Sequence, residues 1–374
     1  MASHIPARPA RPVRAAIVGT GNIARVHANA LHELADEVQI VAAADIDDAR
    51  LKAFCDEQGI PRAYGDVGEL LEEARPGLVH VCTPPQLHHP QAMSCLRAGA
   101  SVLVEKPPAL SLRQFDEMAA TGPAPGAPGP WFATVFQHRF GLGHRKLKAL
   151  TEAGALGRPL LAVCHTVWFR DQAYFDVPWR GRWETEGGGP TMGHGIHQMD
   201  MLADILGDWA EVSAVARQQA RQMATEDISL AHVTFASGAV ASVVNSVLSP
   251  REESYLRFDF ERATVELKHL YGYGDEDWRI TPAPDCGQEV LARWKAAAEP
   301  APPRRSSHLL QFAAVLASLR AGTPPPVTPS DSRRTLSLVT AIYASAFTRA
   351  PVRPADLGPQ SPFYARMDGP GARW

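Results

Sequence analysis

Between residues 13 and 136, short apolar runs alternate with stretches of helical period. The runs at 14–18, 38–44, 78–82, 101–105 and 131–136 read as strands, and 22–34, 49–57, 89–98 and 112–120 read as helices. That alternation marks βαβ units and predicts a doubly wound parallel sheet of about six strands, ending near Arg139. The second half has a different rhythm. After a helix at 144–152, strand-like runs recur at 160–169, 212–217, 228–235, 239–248, 255–260 and 263–267, and Ala236-Ser237-Gly238 forms a tight hairpin turn between two of them. Consecutive strands without helices between them predict a large open, mainly antiparallel sheet in an α+β domain. Helices at 197–206, 309–321 and 330–348 are expected to cover one of its faces. The chain thus divides into a disordered tail (1–12), a dinucleotide-binding domain (13–139) and a substrate and oligomerisation domain (140–374).

Length agrees with this division, since 374 residues at about 150 per domain make two or three domains. Lys plus Arg total 37 against 40 Asp plus Glu, a net charge of −3, so bulk charge gives no reason to expect a nucleic-acid partner. No run of 18 apolar residues is present, which argues against a membrane-spanning helix, and the first residues carry no apolar segment of a secretory signal. The five cysteines, Cys55, Cys82, Cys95, Cys164 and Cys286, show no CxxC pairing and suit reduced thiols in a cytoplasmic protein. Many of the 32 prolines fall in the tail, in 121–130, in 299–303 and in 324–329, which read as loops or linkers.

Chemistry enters with Gly19-Thr20-Gly21-Asn22-Ile23-Ala24, a GxGxxA that follows the first strand and opens a helix. Gly19 permits the turn, Gly21 lets backbone approach a pyrophosphate, and Ala24 lets the helix pack closely on the sheet. Asp45 closes the next strand, where a carboxylate accepts from adenosine ribose hydroxyls and repels a 2′-phosphate; NAD is favoured over NADP unless Arg50 does the selecting. Thr83-Pro84-Pro85, with His88, and Glu105-Lys106-Pro107 follow at the carboxyl ends of later strands, near the expected switch point. Lys106 there puts an ammonium where the nicotinamide is expected, able to bond a substrate hydroxyl and relay its proton.

With Gly187-Gly188-Gly189 and Gly195-Ile196-His197-Gln198-Met199-Asp200, these motifs resemble the glucose-fructose oxidoreductase/inositol dehydrogenase/rhizopine-catabolism (Gfo/Idh/MocA) family, in the right order from about residue 13 to 350. The resemblance implies a Rossmann domain, an open-faced substrate sheet and NAD(P)-dependent redox chemistry on sugars, cyclitols or related polyols. By position, Lys106 would be the catalytic lysine, His197 the acid/base histidine and Asp200 a substrate or orienting carboxylate. Gly19, Thr20, Gly21, Asn22, Ile23, Asp45, Thr83, Pro84, His88, Glu105 and Lys106 would serve the cofactor.

One departure stands out. Family members commonly carry an Asp four residues before the histidine, and here that position is Gly193, beside His194. At about 100° per residue Gly193, His197 and Asp200 share a helix face, so Asp200 or His194 would supply the missing hydrogen bonds, or a bulkier substrate would fill the gap. His194, His197 and Asp200 also have a spacing that suits a metal, but His194 and Asp200 diverge by roughly 120° on a helix, and no metal is assigned. Arg139, in Gln137-His138-Arg139-Phe140, and the cluster Trp168, Arg170, Tyr174, Trp179, Arg180 and Trp183 are candidates for the substrate pocket.

The leading expectation is a hydride transfer between a carbohydrate or polyol carbon and NAD, by a homodimer or homotetramer built through the second sheet. An NAD-recycling enzyme that cleaves or eliminates glycosides, and a non-catalytic dinucleotide-binding regulator, are the alternatives.

Overall fold

The computed structural model describes residues 11–123, 129–297 and 305–372. The tail, apart from Arg11 and Pro12, and the proline-rich stretches at 124–128 and 299–303 lie outside the described residues. Six parallel strands, β1 (Val13–Val18), β2 (Val38–Ala44), β3 (Ala63–Tyr64), β4 (Leu78–Val81), β5 (Ser101–Val104) and β6 (Phe132–Thr134), form one sheet in the order β3-β2-β1-β4-β5-β6. The order reverses between β1 and β4, so a crevice opens at their carboxyl ends.

Side chains alternate across this sheet into two cores. Ala15, Ile17, Ile40 and Leu103 face one way, under the helices Asn22–His32 and Asp48–Gln58. Ala16, Val18, Val79, Val81 and Val102 face the other, under Val67–Ala74, His88–Arg97 and Leu112–Thr121. Strands β4 and β5 are buried at every position, as a sheet covered on both faces requires. No apolar run announces β3, because it is two residues long.

The second sheet has seven strands, β7 (Pro159–Phe169), β8 (Trp209–Arg217), β9 (Ile228–Phe235), β10 (Val240–Ser246), β11 (Leu248–Phe260), β12 (Ala263–His269) and β13 (Trp278–Pro282), ordered β13-β12-β11-β7-β10-β9-β8. Only β7 and β10 pair in parallel. Two boundaries differ from the sequence pattern. Strand β11 absorbs Leu248 and the Ser249-Pro250 step through an irregularity against β7 between Leu248 and Glu253, the way a strand tolerates proline. Strand β13 is a short edge strand without a marked apolar run.

The helices Ile196–Leu206 and Pro329–Thr348 lie on one face of this sheet. The longer one begins at Thr328-Pro329, where Thr328 and Asp331 form a capping box. The helix His308–Ala321 corrects the expectation that three helices cover this face. It returns to the first sheet, where Phe312, Val315 and Leu316 join the core of Ala24, Ala28 and Leu31. Gln311 pins it there: its Nε2 donates to Thr134 O at 2.8 Å and its Oε1 accepts Phe136 N–H at 3.0 Å. The opposite face of the second sheet is open and carries exposed Leu161, Val215, Leu230 and Val240. No helix among the described residues is long and apolar enough to cross a membrane.

Candidate active site

One cavity of about 1170 Å³ runs from the glycine turn, past the carboxyl ends of β4 and β5, to the second sheet. Gly19, Thr20, Gly21, Asn22 and Ile23 line one end of it. Gly19 has φ +85°, and a Cβ there would meet Thr83 Cγ2 at 2.7 Å, so the turn and the loop after β4 touch only because residue 19 is glycine. Nothing lies within 4 Å of a Cβ position on Gly21, which leaves its backbone open to a ligand. The turn, the free start of the helix Asn22–His32 and the open space beside Gly21 fit a dinucleotide pyrophosphate.

Asp45 lies at the end of β2 beside that turn. Its Oδ2 accepts Thr20 N–H at 2.8 Å and Thr20 Oγ1–H at 2.9 Å; Oδ1 accepts Asp47 N–H at 3.0 Å and Arg50 Nη2 at 2.6 Å. Burial works against the anion, but the Arg50 and Thr20 hydrogen bonds outweigh it and hold the carboxyl down at about 2. Arg50 is therefore committed to Asp45 and also lines the cavity.

The two strand-end motifs part in their roles. Thr83 and Pro84 line the cavity. His88 does not: it is 1% exposed, and its ring sits between Pro107 O (Nδ1, 2.7 Å) and Thr83 O (Nε2, 2.8 Å). It ties the loop after β4 to the loop after β5, which corrects its assignment as a cofactor contact. Glu105 borders the cavity, but its carboxylate is spent inside the protein. Oε1 bonds His27 Nε2 at 2.9 Å with His308 Nε2 at 3.6 Å, and Oε2 accepts Lys106 N–H at 3.1 Å. Burial would raise this acid, yet the His27 and His308 contacts bring it well below its ordinary value. Glu105 thus fastens β5 to the first helix and to the returning helix, and so fixes the backbone of Lys106.

Lys106 lines the cavity, and its Nζ donates to Gly193 O at 2.8 Å, across from the first domain to the second. Burial lowers its pKa; Glu105 and Glu186 oppose that, and Arg180 adds to it. His197 and His194 line the same cavity. Burial first, then the Lys106 charge, pushes both imidazoles well below the usual histidine value, so both are neutral at pH 7. His197 is held edge-on by His138, with ring centroids 5.0 Å apart, and by Phe136, at 6.2 Å.

Asp200 and Arg139 leave the site. Asp200 is 1% exposed and takes a two-pronged bond from Arg139, Nε to Oδ2 and Nη2 to Oδ1, both at 2.6 Å, plus Thr335 Oγ1–H at 3.0 Å. Arg139 Nη1 donates to Asp204 at 2.9 Å, and Asp204 also binds His144 and Lys148. Burial alone would lower the guanidinium, but Asp200 and Asp204 reverse this and raise it. Residues 137–140 form a single 3-10 turn, in which successive side chains point about 120° apart. Gln137 and His138 consequently face the cavity while Arg139 faces the helix behind it. His138, one position earlier, lines the cavity in place of Arg139. With Asp200 consumed, His194, His197 and Asp200 do not make a metal site. Among the described residues, metal-like spacing occurs at His27, Glu105 and His308, where a His27–Glu105 hydrogen bond and the longer His308–Glu105 approach at 3.6 Å already account for the contacts.

The aromatic and arginine cluster divides at Gly181. Trp168, Arg170, Tyr174, Trp179 and Arg180 line the cavity, with Arg180 stacked on Tyr174 at 3.9 Å and on Trp179 at 4.3 Å, and Arg170 on Trp168 at 5.0 Å. Gly181 then takes φ +63° and reverses the chain. Trp183 is carried away from the cavity; its Nε1 donates to Ala224 O and its ring packs edge-on against Tyr343. Sequence reasoning missed Glu186 and His308 as cavity residues. Each depends on a chain reversal or a returning helix, for which no local motif exists.

Comparison with known proteins agrees with this architecture. Residues 13–124 match the family model described as an oxidoreductase family with NAD-binding Rossmann fold, and residues 144–267 match the GFO/IDH/MocA C-terminal domain. The chain is 27% identical over 286 residues to D-glucoside 3-dehydrogenase of Escherichia coli, spanning 70% of this chain and 79% of that protein. It is 26% identical over 357 residues to D-apiose dehydrogenase of Paraburkholderia graminis, spanning 89% and 87%. Among solved structures, the WlbA dehydrogenase of Chromobacterium violaceum in complex with NADH and UDP-GlcNAcA superposes with a TM-score of 0.79 at 26% identity, covering 93% of this chain and 98% of that one.

Proposed function

Because the chain belongs to the Gfo/Idh/MocA oxidoreductase family, we propose that it oxidises a CH–OH carbon of a sugar or polyol with NAD, using Lys106 and His197. The observation that carries this reading is the meeting of the two side chains. One comes from the end of a first-sheet strand and the other from the helix Ile196–Leu206, and both line the cavity that begins at the glycine turn. The dinucleotide is held by Gly19–Ile23, Asp45, Thr83 and Pro84, and its nicotinamide supplies the hydride acceptor when bound. Neutral His197 accepts the proton of the substrate hydroxyl, and the Lys106 ammonium holds the negative charge that develops on that oxygen. The stacked Arg180, Trp179 and Tyr174 wall suits the apolar face of a sugar ring and its hydroxyl edge. A panel of sugars, polyols and sugar acids with NAD tests the reading: NADH absorbance at 340 nm should rise in step with substrate consumed, and a panel without any turnover would remove it.

Asp45 is assigned the choice between NAD and NADP. Its carboxylate would face a 2′-phosphate, and it keeps Arg50 from pairing with one. Asp45→Ser should leave Arg50 with only its half-exposed Asp47 pair and raise the kcat/KM ratio for NADP over NAD by about 10-fold or more, the worth of one charge-assisted hydrogen bond. An unchanged ratio would show that the choice is made elsewhere.

The open sheet face is assigned to self-association. Val215 pairs with Leu230 across strands and Val240 with Leu161, so the exposed apolar side chains stand in adjacent pairs rather than singly. Sedimentation velocity should give a dimer or tetramer; a monomer at micromolar concentration contradicts the assignment.

A further inference from the structure

Gly193 carries no acid, yet the volume beside it holds one. A Cβ built on Gly193 would touch Oε1 of Glu186 at 3.4 Å, so the glutamate reaches from the turn before the glycine triplet into the space a side chain at 193 would claim. Glu186 is 4% exposed and borders the cavity. Its Oε2 accepts Gly181 N–H at 2.6 Å, which fixes the carboxylate's position. Its Oε1 faces the Arg180 guanidinium in an ion pair at 3.6 Å, longer than a hydrogen bond. That oxygen is ion-paired but not hydrogen-bonded, and it belongs to a residue that lines the cavity, so it keeps acceptor capacity for a donor there. The carbonyl of the same Gly193 accepts the Lys106 ammonium at 2.8 Å, so ammonium and carboxylate flank one residue. Burial raises the Glu186 pKa, and the Gly181 N–H, then Arg180 and Lys106, pull it back.

We propose that Glu186 is the carboxylate of this active site: it accepts a hydrogen bond from a second hydroxyl of the substrate and balances the charge of Lys106. The proposal rests on the oxidoreductase reading and narrows it. A substrate must offer two hydroxyls, one to Lys106 and His197 and one to Glu186, so simple mono-alcohols are excluded. Glu186 arrives from outside the helix that carries His197, and Gly193 leaves it room.

Four proteins test this: the parent, Glu186→Gln, Gly193→Asp and the double variant. Glu186→Gln keeps an oxygen for the Gly181 N–H and loses only the charge; its kcat/KM should fall about 10- to 100-fold. Gly193→Asp alone sets two carboxylates in contact and should also lose activity. The double variant, which moves the acid from one position to the other, should recover most of the loss. A Glu186→Gln enzyme with parental kcat/KM, or a double variant no better than Glu186→Gln, overturns the proposal. A second readout needs no turnover: the pH dependence of Lys106 acetylation by acetic anhydride, followed by mass spectrometry. The charges acting on Lys106 are Glu105, Glu186 and Arg180. Removing the Glu186 charge should move the Lys106 midpoint to lower pH, and an unmoved midpoint counts against the proposal. If the parent oxidises no polyol, the oxidoreductase reading falls by itself, while the Lys106 titration still decides whether Glu186 balances its charge.

Discussion

Lys106→Met should bind NAD within about threefold of the parent and turn over about 100- to 10,000-fold more slowly, the range for a positioned proton-transfer or charge-stabilising group. Methionine keeps the length of the stem and removes the ammonium that donates to Gly193 O. Calorimetric titration of NAD and steady-state kinetics separate the two effects. The pH profile of the parent carries the same logic. His197 must be neutral, and burial lowers its pKa, so activity is gained as pH rises through a value below that of free histidine. Lys106 must be charged, and burial lowers its pKa too, so activity is lost as pH rises through a value below that of free lysine. Both limbs of the bell therefore shift to lower pH, and Lys106→Met should abolish the alkaline limb of its residual activity. A variant with the parental rate would withdraw Lys106 from the chemistry.

Asp200→Ala should destabilise the fold by about 3 kcal/mol, because the buried Arg139 guanidinium loses its two-pronged partner and keeps only Asp204 within hydrogen-bond reach. Asp200 lies one helical turn beyond His197, on the helix that the Arg139 fork and Thr335 clamp in place. The loss should appear first as a lower melting temperature and a lower denaturant midpoint. The pH profile of the folded variant should keep the parental shape, since Asp200 touches neither the cavity nor the two proton-handling groups. If the variant kept its melting temperature and lost its turnover, Asp200 would be a catalytic carboxylate after all. Asp200→Asn together with Arg139→Met offers a control, because it removes both charges of the pair while Asp204 keeps His144 and Lys148.

The features that could be read in advance are those written in neighbouring residues. The glycine turn needs only Gly19, Gly21 and Ala24 in a row; the strand ends at Asp45, Thr83 and Lys106 follow from where apolar runs stop. Those motifs led to a family, and both of its domains are present. The alternating burial of β9, with Leu230 outward and Ala231 inward, follows from a period of two. What failed were steps that turned on which way one side chain in a short turn points. Arg139 and His138 are adjacent, and only the phase of a short 3-10 turn decides which of them faces the cavity. Trp183 and Arg180 are three residues apart, and the left-handed Gly181 between them sends them to different places.

The sequence by itself determined the local chemistry: a dinucleotide turn, a lysine at a strand end, a histidine at the head of a helix, and two sheets of different kind. Such features depend on backbone geometry within a few residues. The tertiary structure alone decided which carboxylate borders the cavity beside Gly193. Asp200 has the matching motif position but is drawn behind the helix by Arg139. Glu186 has no motif at all but reaches the space left at Gly193. The reason is energetic: a buried charge goes where its partners are, and those partners lie 61 residues away for Asp200 and in the reversed turn at Arg180 and Gly181, with Lys106 beyond, for Glu186.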